Sequence, residues 1–182
     1  MRALRHLTLI RSWTVACLVA ACAPSLAAAD SFDPSQPSAI EEDPASAWPC
    51  RLVITKALRP SVQLAWARSP TFRSQCARLA QAGTTVFVHA VTSVQILRQA
   101  QSVIGVTEDG ATVARVLVLV RSSTDTVEAI AHEFEHVQEY LEGVDHRRSG
   151  TMLAHDAYET DRAIDAGTRV AREVRERLRM QR

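Results

Sequence analysis

From Arg51 onward apolar residues come in short runs rich in β-branched side chains, and after Ser122 they change to the 3.6-residue spacing of amphipathic helices. The run Arg51 to Ala57, with Leu52, Val53, Ile54 and Thr55, predicts a strand, and Val62 to Ala67 a short element of either type. Ser69-Pro70 supplies an N-cap and a first-turn proline for a helix to about Gln81, with Gly83 just past its end. Thr84 to Val91 predicts a second strand, Ser93 to Gln101 a short helix and Val103 to Val106 a short strand. The turn Glu108-Asp109-Gly110 leads into Thr112 to Arg121, the strongest strand pattern in the chain. Asp125 with Glu128 three residues on is a capping box opening a helix from about Thr126 to Glu142, and Gly143 suits its end. A polar loop, Val144 to about Ala154, precedes a last helix from about Asp156 to Met180, with arginines in its final turns as the helix dipole favours. The expected fold is α+β: a small, mainly antiparallel sheet followed by two long helices.

The N-terminal segment follows a different pattern. Arg2, Arg5, His6 and Arg11 precede a short apolar run, Trp13 to Ala21, and Ala27-Ala28-Ala29 reads as a cleavage site. Residues 1–29 are therefore expected to be a signal peptide, 30–48 a Pro/Ser/acid-rich disordered linker, and 49–182 the folded domain of a secreted or periplasmic protein. Val19-Ala20-Ala21-Cys22 also resembles a lipobox, so a lipid anchor at Cys22 of an envelope protein is the alternative. No apolar run reaches the roughly 18 residues of a membrane span, which excludes a channel or transporter.

Charge narrows the partners. Of the chain's 182 residues, 21 are basic and 20 acidic, and Arg2, Arg5 and Arg11 are the only charged residues before Asp30. The remainder is slightly acidic, so no nucleic-acid partner is expected. Two of the four cysteines, Cys17 and Cys22, belong to the signal segment; Cys50 and Cys76 remain, and an oxidising compartment predicts a disulfide between them.

The chemistry is concentrated in His132-Glu133-Phe134-Glu135-His136. Residues i and i+4 of a helix lie one above the other, so His132 and His136 can hold one Zn²⁺, while Glu133, one step round, is placed to act on water as a general base. Val127, Ile130, Phe134, Val137 and Leu141 form the opposite, apolar stripe. Catalytic zinc takes three protein ligands, so a third is needed downstream, from His146, His155, Asp156, Glu159, Asp161 or Asp165. On a helix beginning near Asp156, Glu159 faces inward and the two later aspartates outward, although Asp156 and Glu159 also match a capping box in which the glutamate only closes the helix start. Tyr140, His155 and Tyr158 are candidates to stabilise an oxyanion, and His146, beside Arg147 and Arg148, is expected to be solvated.

At these residues the sequence resembles the gluzincins, zinc metallopeptidases with HExxH on one helix and a ligand glutamate on a later one. The resemblance implies a zincin-like fold, Zn²⁺ held by His132, His136 and Glu159, catalytic Glu133, and a peptide or protein substrate aligned along the edge of the strand Thr112 to Arg121. It extends over Thr112 to Asp165. The position where many gluzincins place an aspartate that orients a ligand histidine is here Ala163, leaving Glu135, Glu139, Asp161 or Asp165 for that task. A noncatalytic zinc-binding envelope protein, with the metal as a structural crosslink, is the alternative; a third possibility is an interaction protein without metal.

Overall fold

The computed structural model describes residues 48–92, 99–154 and 157–181. The expected signal peptide and all of the linker but Trp48 lie outside them. Trp48 itself packs edge-on against Trp66, with ring centroids 5.7 Å apart, and so belongs with the residues packed on the core.

Four strands form the main sheet: β1 (Arg51–Ile54), β2 (Thr85–Val91), β3 (Ala100–Val106) and β4 (Thr112–Leu119). Their order is β1-β2-β4-β3, with β1/β2 and β2/β4 parallel and only β3/β4 antiparallel. The expectation of a mainly antiparallel sheet is corrected by its connections. The Asp-Gly turn makes one hairpin, as read, but β1 and β2 are joined by a 3-10 turn (Lys56–Leu58) and two helices, α1 (Arg59–Arg68) and α2 (Pro70–Gln81). That crossover is long enough to return the chain to the same end of the sheet and so permit parallel pairing. A second correction follows: β4 lies between β2 and β3, so the strand read as a substrate-aligning edge is interior. The predicted helix Ser93 to Gln101 falls mostly outside the described residues, and its end is already strand, since β3 starts at Ala100.

Alternation on the strands decides where the core sits. Val86, Val88, Ala114, Val116 and Val118 turn to one face and are buried. They share a core with Val127, Ile130, Phe134 and Val137 of α3 (Ser123–Leu141), which is the predicted apolar stripe, and Phe134 stacks on Phe72 of α2 at 5.4 Å. α2 begins as read, with the Ser69 hydroxyl accepting from Phe72 N at 3.0 Å. α3 starts three residues early because Ser122, accepting from Asp125 N, is its cap and Asp125 lies inside the first turn. Just past its end Gly143 takes φ of 74° while Val144 N reaches back to Glu139 O.

The segment read as a loop and helix start is more structured. A short helix α4 (His146–Ser149) leads into an antiparallel pair, β5 (Thr151–Ala154) and β6 (Ala157–Glu159). The last helix, α5 (Asp161–Arg179), starts after Asp156 because Thr160, in extended conformation, is its cap: the threonine hydroxyl accepts from Ala163 N at 3.1 Å. α5 packs closely along α3. A β-carbon on Gly167 would lie 2.9 Å from the Glu128 carbonyl oxygen and 3.1 Å from the β-carbon of His132, so glycine permits this approach.

Candidate metal centre

The core-facing stripe turns the other side of α3 toward α5 and β6, and there the structure brings His132, His136 and Glu159 together. His132 Nε2 lies 3.0 Å from Glu159 Oε1 and 3.2 Å from His136 Nε2, and His136 Nε2 lies 3.4 Å from the same carboxylate oxygen. Zinc bonds of about 2.0–2.1 Å in a tetrahedron separate ligand atoms by about 3.3–3.4 Å, so the triangle is within a few tenths of an ångström of one face of such a site. The three side chains are 19%, 11% and 23% exposed, so the site is largely but not fully buried.

Glu159 reaches the site by a route other than the one read from the sequence. It is the last residue of β6 and not part of the final helix, so the expected C-terminal ligand helix is corrected to a strand end followed by a helix cap. The capping-box alternative is also removed, because Thr160 does the capping. The backbone N–H of Thr160 donates to Glu159 Oε1 at 3.2 Å, holding the carboxylate at the mouth of α5.

Glu133 is 5% exposed on α3, beside the ligand pair. Burial alone would lower the proton affinity of His136, but the hydrogen bond with Glu139 and the charges of Glu133, Glu139 and Glu159 outweigh it and raise the pKa. Glu139 shows the complementary balance. Its burial opposes ionisation, yet hydrogen bonds from His136 and Thr160 and the nearby imidazoles hold its carboxyl below the usual range. His136 Nδ1 is 2.9 Å from Glu139 Oε2, and the Thr160 hydroxyl donates to Glu139 Oε1 at 2.8 Å.

His146 is not the solvated residue expected from its arginine neighbours. α4 folds it back so that its Nε2 lies 3.3 Å from Glu139 Oε2, with its ring 5.8 Å from that of His136. Of the other candidates, Asp161 and Asp165 are exposed on α5, and His155 and Asp156 lie outside the described residues. Tyr140 is 44% exposed on α3 and Tyr158 half-buried on β6. Among the described residues, the groups with metal-ligand geometry are the His132–His136–Glu159 triad and His136–Glu139–His146. Thr160 and Gly167 were not singled out by the sequence; the only local signal was the helix-cap propensity of threonine.

Cys50 and Cys76 are brought together as expected, but as free, buried thiols and not as the expected disulfide. Hydrogen bonding with Cys50, then burial, pushes the Cys76 thiol far up. No family model matches the chain, and no curated protein or solved structure is significantly similar to it.

Proposed function

We propose that the protein is an exported zinc-dependent hydrolase with a zincin-like fold, most simply a small metallopeptidase acting on peptide or protein substrates. The observation that supports this is the triad: two imidazole nitrogens and one carboxylate oxygen, 3.0–3.4 Å apart, drawn from two elements. The donor set, two histidines and a glutamate, is the one typical of hydrolytic zinc with a free position.

His132, His136 and Glu159 would hold the metal, which when bound supplies Lewis acidity toward a carbonyl and toward water. The protein's own part in the chemistry falls to Glu133. In its ionised form the carboxylate takes a proton from the attacking water and then delivers it to the leaving amine, and its burial keeps competing bulk water away from that transfer. Substrate alignment by β-augmentation would use β3, the sheet edge that packs near α3, in place of the interior β4.

The test pairs metal content with turnover. Purified without a histidine tag, the wild type is expected to hold one zinc and to cleave a peptide library. Glu133→Gln is expected to keep the zinc and lose at least about 100-fold in rate, and Glu159→Ala to lose both. Zinc retained with no cleavage in the wild type, or cleavage unchanged by Glu133→Gln, would favour the noncatalytic, structural-zinc reading.

A further inference from the structure

The second cluster, His136, Glu139 and His146, has a use that the triad does not absorb. Glu139 is 2% exposed and acceptor-only when ionised. It faces three side chains on three different elements: His136 Nδ1 on α3 at 2.9 Å, His146 Nε2 on α4 at 3.3 Å, and the Thr160 hydroxyl at the mouth of α5 at 2.8 Å. We propose that Glu139 is the positioning residue of the metal centre, fixing His136 with its proton on Nδ1 and its Nε2 lone pair directed at the triad, and tying the chain next to Glu159 to the same carboxylate.

The argument runs through the imidazole. A neutral ring has one donor and one acceptor nitrogen, so a ring that donates from Nδ1 to a carboxylate must offer Nε2 as the acceptor. His136 Nε2 is the atom 3.2–3.4 Å from its two triad partners. The competing use of the cluster is a second metal site, since its three ligand atoms also lie within 4.8 Å of one another. That use would take the Nδ1 lone pair while the triad takes Nε2, and a neutral imidazole has only one to give. Thr160 adds the second link, because its hydroxyl donates to Glu139 while accepting from Ala163 N and its own N–H holds Glu159.

The affinity part of this inference rests on the zinc reading, so the experiment has two arms. In the metal-free full chain at alkaline pH, long-range proton–nitrogen correlation of His136 is expected to show the Nδ1–H form in the wild type. In zinc titration, Glu139→Gln is expected to weaken binding about 10–100-fold. Glu135→Gln, an equally buried carboxylate on the same helix bonded to Gln75, Arg78 and Arg162, is the control; it should lower the melting temperature and leave zinc affinity within about threefold. A wild-type His136 protonated on Nε2 overturns the proposal, as does wild-type zinc affinity in Glu139→Gln or a second bound zinc that disappears in His146→Ala. If the wild type binds no zinc, the hydrolase reading falls alone, and the tautomer, which needs no variant, still decides the role of Glu139.

Discussion

Gly167 sets how closely two helices approach at the candidate metal centre. Its missing β-carbon is the space into which the Glu128 carbonyl and the His132 side-chain base fit, and neither neighbour is the far end of a flexible side chain. Gly167→Ala should therefore move α5 away from α3 instead of gaining the usual helix propensity of alanine. The expected outcome is a destabilisation of about 1–3 kcal/mol by denaturant titration, together with weaker zinc binding. A variant as stable as the wild type, or more so, would show that α5 absorbs the methyl group without moving. The sequence exposed His132, Glu133 and His136 clearly, because i and i+4 on one helix is a local relation. Glu159 was reached through a helical rotation that the chain does not adopt there, and the histidine pair's need for a partner carried the choice. Gly167 and Thr160 act across two elements, and nothing in their local pattern distinguishes them from an ordinary helix glycine and an ordinary cap.

The helices are also locked to one another by charge at Glu135, the residue before His136 on α3. Glu135 accepts from Gln75 at 2.8 Å, Arg78 at 3.2 Å and Arg162 at 2.7 Å, and Arg162 continues to Glu142, so α2, α3 and α5 meet at one network. Hydrogen bonding with Arg162 holds the Glu142 carboxyl below its ordinary value. A carboxylate with a depressed folded-state pKa stabilises the fold above its unfolded pKa of about 4.3, and that contribution is lost as pH falls through the lower folded value. Glu142→Gln, which leaves the Arg162–Glu135 bond in place, should therefore narrow the stability difference between neutral and acid pH, with variant and wild type converging as Glu142 is protonated. Because both side chains are well exposed the effect is small, and melting curves from neutral pH down to about pH 3 would reveal it. Curves that remain parallel over that range would remove the Arg162–Glu142 pair from the account. At this scale the sequence disclosed α2, β2, β4 and most of α3 through period and caps. Parallel pairing depends on which strands a crossover brings together, and the β5–β6 pair is too short to carry a period, so both were beyond reach.

Two links that close the whole domain can be read from stability. Cys50 precedes β1 and Cys76 lies in the middle of α2, both buried and in thiol contact, so oxidation would close a loop around the crossover that makes the sheet parallel. Oxidised protein is expected to show no titratable thiol from this pair when unfolded and to be more stable by about 3 kcal/mol than the reduced form. Equal stability would mean that joining the sulfurs strains the native packing as much as it restrains the unfolded chain.

A metal held by the triad would be the other link, because the three side chains come from α3 and from the strand end that leads into α5. In the unfolded chain His132 and His136 stay close but Glu159 does not, so zinc held by the triad would bind the folded form in preference and stabilise it. At free zinc about 100-fold above the dissociation constant the gain is about 2.7 kcal/mol, which for a domain of this size raises the melting temperature by several degrees. Adding a chelator to the zinc-loaded protein should remove that increment, and the same treatment should leave Glu159→Ala unmoved because it has no increment to lose. A wild-type melting temperature indifferent to both zinc and chelator would detach the triad from any metal and favour an interaction protein, with Glu159 simply bonded to two histidines.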